Sequence, residues 1–195
     1  SKSLPIPRVR SLFVCKRTGY QRMRCYEYLI QLSIFVSRDQ KIPGFFMMKR
    51  VLFIGLTVID MQYFVDEFPS PNQKLKTTPP LINIGGPAAN AAITFSFLGG
   101  ESSFLTGIGD NPFSSYIHNE FRRNNIDIID FVEKKEVEPV IATIITTLKS
   151  SERSIISHYP ACVDYSTEIE SLLNWDEYDL VFIDGFYPEV ALPIC

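Results

Sequence analysis

Only two histidines, His118 and His158, and four cysteines, Cys15, Cys25, Cys162 and Cys195, occur in the 195 residues, and no two cysteines form a C-x-x-C pair. Tetrahedral zinc needs four nitrogen or sulfur donors close together. The scatter argues against such a site and reads instead as free thiols in a reducing, cytoplasmic compartment. No uninterrupted apolar run reaches ten residues, which is too short to span a bilayer. Neither sign of charge dominates: the net charge of −3 gives no global reason to expect a nucleic-acid partner. Repeats and low-complexity tracts are missing as well. What is present is an ordinary globular balance, 46% hydrophobic and 21% charged, able to bury a sizeable core. The length suits one domain, or two small ones at most.

The average charge hides a split. Residues 1–46 carry nine Lys and Arg against Glu27 and Asp39, whereas the rest of the chain carries 10 basic and 20 acidic side chains. Two parts so different point to different origins or jobs. Residues 1–46 are Arg-rich, lack clear amphipathic periodicity outside Tyr26–Val36, and are interrupted by Pro5, Pro7 and Pro43. They are expected to be a basic extension outside the fold, with Met47 or Met48 as a translation start. An organelle-targeting leader and a basic arm for nucleic acid or acidic lipid are the alternatives. Mass spectrometry of the native N-terminus distinguishes them, since a mature chain retaining Ser1 counts against the first.

From Met48 the pattern sharpens. Arg50–Gly55 is a short apolar run closed by glycine, as expected of a strand buried on both faces. Val58–Phe68 alternates loosely and ends in the turn residues Pro69–Asn72. Leu81–Ile84 is extended and runs into Gly85-Gly86-Pro87. Pro87 suits the first turn of a helix, predicted to continue through Leu98 and to stop at Gly99-Gly100. Ser103–Leu105 is a short strand, and Asn111 can cap a helix with Pro112 at its first position, running to about Asn124. Ile126–Phe131 is a strand. Val140–Leu148 and Ser154–Tyr159 read as a hairpin around Lys149–Glu152, Tyr165–Leu173 as a helix, and Tyr178–Asp184 as a last buried strand. Strands alternating with helices predict an α/β fold with a largely parallel sheet and a small antiparallel appendage.

Gly85-Gly86-Pro87-Ala88-Ala89-Asn90 is the most informative stretch. Adjacent glycines after a strand let the backbone approach a ligand and permit positive φ, and a helix N-terminus presents unpaired N–H groups. Asn90, one turn inside, offers both a donor and an acceptor, as a hydroxyl-rich ligand requires. A tight strand-to-helix turn carrying a thin helix satisfies the same spacing. Asp60 follows Gly55 by five residues, at the sheet edge where α/β proteins bind ligands. A carboxylate there can accept hydrogen bonds from sugar hydroxyls; a solvent-facing Asp on an edge strand is the plain alternative. Asp184, ending the last strand before Gly185, points to the same edge.

Taken together, these features resemble the amino-terminal part of the ribokinase-like (PfkB) carbohydrate kinases over roughly Met48–Pro193. The matching elements are the opening strand with Gly55-Leu-Thr-Val-Ile-Asp60, the Gly85-Gly86-x-x-x-Asn90 signature, Gly109-Asp110-Asn111-Pro112-Phe113, and the hairpin at 140–159, in that order. The resemblance implies a mostly parallel sheet flanked by helices. It also implies a small β lid from about 58–84 and 138–159, within an amino-terminal kinase part over 47–195. It assigns substrate binding to Asp60, Gly85, Gly86 and Asn90, with Asp184 as a further candidate. Val58, where the family often has a polar residue, and Ser114, where it tends to have Gly, leave the identity of the sugar open.

Family members transfer the γ-phosphate of ATP, carried with Mg²⁺, to a sugar hydroxyl. A late Asp-Thr-x-Gly-Ala-Gly-Asp motif supplies an anion hole and a general base. Thr106-Gly107-Ile108-Gly109-Asp110 mimics its second half, but Phe104-Leu105 replaces Asp-Thr and Pro112 follows, so Asp110 is expected in a structural turn. The expectation is therefore a sugar kinase whose ATP site and base lie beyond Cys195, inactive as this chain alone. A nucleoside kinase of the same family is the runner-up, and a non-catalytic sugar-binding or interaction protein is the rival from another class. A dinucleotide reading of Gly107–Pro112 lacks the third glycine. No membrane or nucleic-acid partner is expected, but the lid strands offer edges for a homodimer, which sedimentation detects.

Overall fold

The computed structural model describes residues 12–14, 50–133, 135–158, 169–187 and 190. Two sheets make up the strand framework. The first has the order β1-β9-β2-β5-β6, all parallel, from β1 (Leu12–Val14), β2 (Arg50–Ile54), β5 (Glu101–Thr106), β6 (Ile126–Asp130) and β9 (Leu180–Ile183). The second has the order β4-β3-β7-β8, from β3 (Val58–Val65), β4 (Leu81–Gly85), β7 (Ile141–Thr147) and β8 (Arg153–His158). Within residues 1–46, Leu12–Val14 pairs in register with Val181–Ile183; the remainder of that segment, and all four cysteines, lie outside the described residues.

β2 is the axis of the first sheet because it can be buried on both faces. Val51 and Phe53 face one core cluster and Leu52 and Ile54 the other. The first cluster is closed by α1 (Pro87–Phe97) and α2 (Ser114–Arg123). Alanines at 88, 89, 91 and 92 are buried, so α1 lies close on the strands, with Phe95 meeting the Phe53 ring at 5.9 Å. Phe121 of α2 meets Phe104 at 5.1 Å. On the other face, Ile169, Leu173, Tyr187 and Val190 complete the core, with Trp175 packed against it. Among the described residues, no helix is long and apolar enough to cross a membrane.

Two local expectations differ from the structure. α2 begins at Ser114 rather than at Pro112, because the Asn111 side chain accepts from Phe113 N–H and holds that segment as a turn. The expected helix Tyr165–Leu173 shows only its end, a 3₁₀ turn over Ile169–Leu172; residues 159–168 lie outside the described residues. The 140–159 hairpin is present as antiparallel β7 and β8. β7 also runs parallel to β3, a pairing across chain-distant segments that no local pattern announces.

The second sheet is anchored at one end only. Ile59 and Ile84 enter one core cluster and Val58 and Ala142 the other, while Leu81, Ile82, Ile155 and Ile156 are exposed. Tyr116 of α2 steadies it by donating its hydroxyl to the Ile82 carbonyl at 2.8 Å. Replacing Phe104, fully buried against Phe121, by alanine is predicted to cost about 3–5 kcal/mol. Phe97→Ala, at a ring 87% exposed, is expected to be nearly neutral. Denaturant midpoints measure both; equal losses would contradict this division of the core.

Candidate functional site

The chain leaves β2 through Gly55, Leu56 and Thr57, enters β3, and returns on β4 to the glycine pair. β3 and β4 pair antiparallel, with Val58 opposite Gly85 and Asp60 opposite Asn83. The Asp60 carboxylate consequently lies against Gly85: a Cβ built there would overlap both carboxylate oxygens. Asp60 is half-buried; burial raises its carboxyl above the ordinary carboxylate range and the positive charge of Arg153 partly offsets this. Arg153 is itself exposed and, by register, shares the face of the second sheet that carries Asp60.

Gly86 has φ of 108°, the left-handed region where glycine is favoured, and a Cβ on it would overlap the Leu56 carbonyl oxygen. It is the N-cap of α1 and has no side chain to cap with. Asn90 lies one turn on, its N–H donating to the Gly86 carbonyl at 2.9 Å. It is exposed. Asp60 thus lies against Gly85 where the chain turns through Gly86 into α1, and Asn90 follows one helical turn on.

Asp184 reaches the corner from beneath. It is 4% exposed. Its Oδ2 accepts from Leu56 N–H at 3.0 Å and Ala88 N–H at 3.3 Å, and its Oδ1 from Phe186 N–H at 3.0 Å. Gly55 makes room: a Cβ there would overlap Asp184 Oδ2 and come within 2.6 Å of the Ala88 Cβ. Next to this, the hydroxyls of Thr57 and Thr106 bond at 2.9 Å, fully enclosed, and tie the exit of β2 to the end of β5. The sequence places Thr57 and Thr106 in two separate motifs, and nothing local announces that they pair. Thr57 follows β2 by three residues and Thr106 ends β5.

The loop Thr106–Phe113 is closed on itself. Ile108 and Gly109 donate their N–H groups to Asp130 at 3.0 and 2.8 Å, and Asp110 N–H goes to the Lys135 carbonyl. Amides held by a carboxylate are not free to cradle phosphate, so the Ile108 and Gly109 amides of the imitation anion hole are already occupied. The dinucleotide reading fails for the same reason, because the acid some twenty residues on neutralises the loop's own amides. Ser114 stitches the turn by donating to the carbonyls of Gly109 and Asn111. His158 is exposed and meets Glu138 at 3.1 Å.

A separate hollow of about 660 Å³ is lined by Asp110, Asn111, Pro112, Glu136, Val137, Glu138 and Pro139. None of the expected site residues lines it. Among the described residues, no group of three or more His, Cys, Asp or Glu side chains could hold a metal ion.

Asp184 yields a pH test. Burial pushes its carboxyl up to about 6 from 3.8, against the pull of its three amide donors. Between those values the folded chain binds more protons than the unfolded one. The contribution to stability is then fullest below about pH 4 and is lost as pH rises through about 6, by at most about 3 kcal/mol. Asp184→Asn is predicted to flatten this part of the curve in denaturant midpoints taken across that range. An unchanged slope in the variant would contradict the assignment.

Residues 48–194 match the family described as pfkB family carbohydrate kinase. Mouse ketohexokinase is 20% identical over 137 residues, covering 70% of this chain and 46% of the relative. The nucleoside kinase of Methanocaldococcus jannaschii is 26% identical over 141 residues, covering 68% and 47%. Among solved structures, Cryptococcus neoformans ribokinase in complex with ADP superposes with a TM-score of 0.55 at 19% identity, over 75% or less of either chain: 74% of this one and 43% of the other. The chain spans about half the length of the curated relatives it matches. With its parallel sheet, its glycine corner and a family match over most of its length, this chain belongs to the pfkB family of carbohydrate kinases.

Proposed function

We propose that the glycine corner binds a sugar as the acceptor in ATP-dependent phosphorylation, with this chain supplying the sugar-binding half of the enzyme. The observation that supports this reading best is Asp60 lying directly against Gly85, with Asn90 one helical turn from Gly86. A carboxylate beside bare backbone can accept from two neighbouring hydroxyls, and an exposed amide side chain can both donate and accept. The second sheet, anchored only at its base, closes over the sugar and excludes water. ATP, when bound, supplies the transferred phosphoryl group. This reading assigns neither the phosphate site nor the general base to the glycine corner: the late Asp-Thr-x-Gly-Ala-Gly-Asp motif does not occur in the sequence and the amides of Ile108 and Gly109 are occupied.

A nucleoside in place of a free sugar is the second reading, favoured by the similarity to a nucleoside kinase. A ribose moiety presents the same hydroxyl pair to Asp60 and leaves the base to the apolar side chains of the second sheet.

Calorimetry of the 195-residue chain against a panel of pentoses, hexoses and nucleosides tests the proposal. One member of the panel is expected to bind selectively. Asp60→Asn is expected to weaken it by about tenfold or more, the loss of a hydrogen bond to a charged group at about 1.5–3 kcal/mol. No ATP turnover is expected from this chain alone. Binding that ignores Asp60→Asn would remove the corner from the site, and turnover by the purified chain would overturn the division between halves.

A further inference from the structure

The start of α1 is capped from far away in sequence. Its own N-cap, Gly86, makes no side-chain cap bond and Pro87 follows it, so the helix lacks the local acceptor that Ser, Thr, Asp or Asn would provide. Asp184, 96 residues from Ala88, supplies that acceptor through Oδ2. A carboxylate at a helix N-terminus also complements the positive end of the helix dipole. The cap position is thereby free to be glycine, which is what allows Gly86 to lie on the Leu56 carbonyl.

The same oxygen holds the other side of that contact. Leu56 gives its N–H to Asp184 Oδ2, and its carbonyl oxygen sets how closely Gly86 approaches. One atom therefore ties the turn that leads into the Asp60 strand to the helix that carries Asn90. The carboxylate lies so close on Gly55 that a Cβ there would overlap it.

We propose that Asp184 is the positioning residue of the substrate corner, holding the Leu56 and Ala88 amides and through them fixing Gly86 and α1 relative to Asp60, without itself touching the substrate. The word substrate here rests on the sugar-binding reading of the corner; the mechanical coupling does not.

The segments packed on the carboxylate are Gly55–Val58, the helix Pro87–Phe97, the strand Leu180–Ile183 and Gly185–Tyr187, and Tyr187 is their sole titratable side chain. Asp60 is the other acid at the corner, against Gly85. The test is therefore made in an Asp60→Asn background as well as in the wild-type chain, and follows backbone amide signals by ¹H–¹⁵N NMR between about pH 4 and about pH 7. The signals of Leu56, Ala88 and Phe186 are expected to titrate with one midpoint, and those of Gly86 and Asn90 to follow with the same midpoint in both backgrounds. In Asp184→Asn all five are expected to lose that titration and to rest at shifted positions, because an amide cannot accept on both sides. Titration of the three direct partners with Gly86 and Asn90 unmoved would overturn the proposal.

If Asp184→Asn does not fold, the Asp60→Asn titration alone decides, since protonation there replaces the mutation. Affinity for the best member of the sugar panel supplies the second readout: Asp184→Asn is expected to lower it about tenfold or more while Asp184→Glu fails to restore it for want of space at Gly55. If no sugar binds the wild-type chain, the functional reading fails and the NMR still decides the coupling.

Discussion

Backbone packed directly on backbone is the constraint on which the rest of this structure depends. At Gly86 a peptide carbonyl occupies the place of a side chain, and at Gly85 a carboxylate does. The strand entering the second sheet, the strand leaving it and the first turn of α1 can meet within one small corner only because these positions carry no Cβ. The alanines that follow keep α1 flat against β2 and β5, so the corner is backed by core rather than by a loop. Buried polar groups at such a junction need partners. Here they find them in Asp184 and in the Thr57–Thr106 pair.

The corner has a division of labour among its acids. Asp60 is half-buried with its oxygens against Gly85, influenced by the charge of Arg153. Asp184 is enclosed and spends both oxygens on backbone amides. Asp130 does the same for the neighbouring loop. Asp184 and Asp130 each accept three backbone amides, whereas Asp60 is the carboxylate lying against the glycine pair, which is why the functional reading rests on it.

Much of this was legible in the sequence because local chemistry decided it. The apolar run Val51–Ile54, Pro87 after two glycines, and Gly99-Gly100 after the helix each mark an element by a mechanism acting within a few residues. What escaped was decided at long range. From sequence Asp184 reads as a further substrate-binding candidate at a strand end; the amides it holds lie 96 and 128 residues away. The parallel pairing of β3 with β7 joins a loosely alternating segment to one half of the 140–159 hairpin. The late start of α2 is a local effect that propensity misses, because the Asn111 side chain competes with the helix for the same backbone.

The central claim is that the corner formed by Asp60, Gly85, Gly86 and Asn90 receives the hydroxyls of a sugar. A crystal structure of the chain with the best-binding member of the sugar panel tests this most directly. The account predicts ring hydroxyls within hydrogen-bonding distance of the Asp60 carboxylate and the Asn90 amide, with the ring resting on the glycine pair. A sugar found instead in the acidic hollow beside Asp110 and Glu136, with the glycine corner empty, would contradict it.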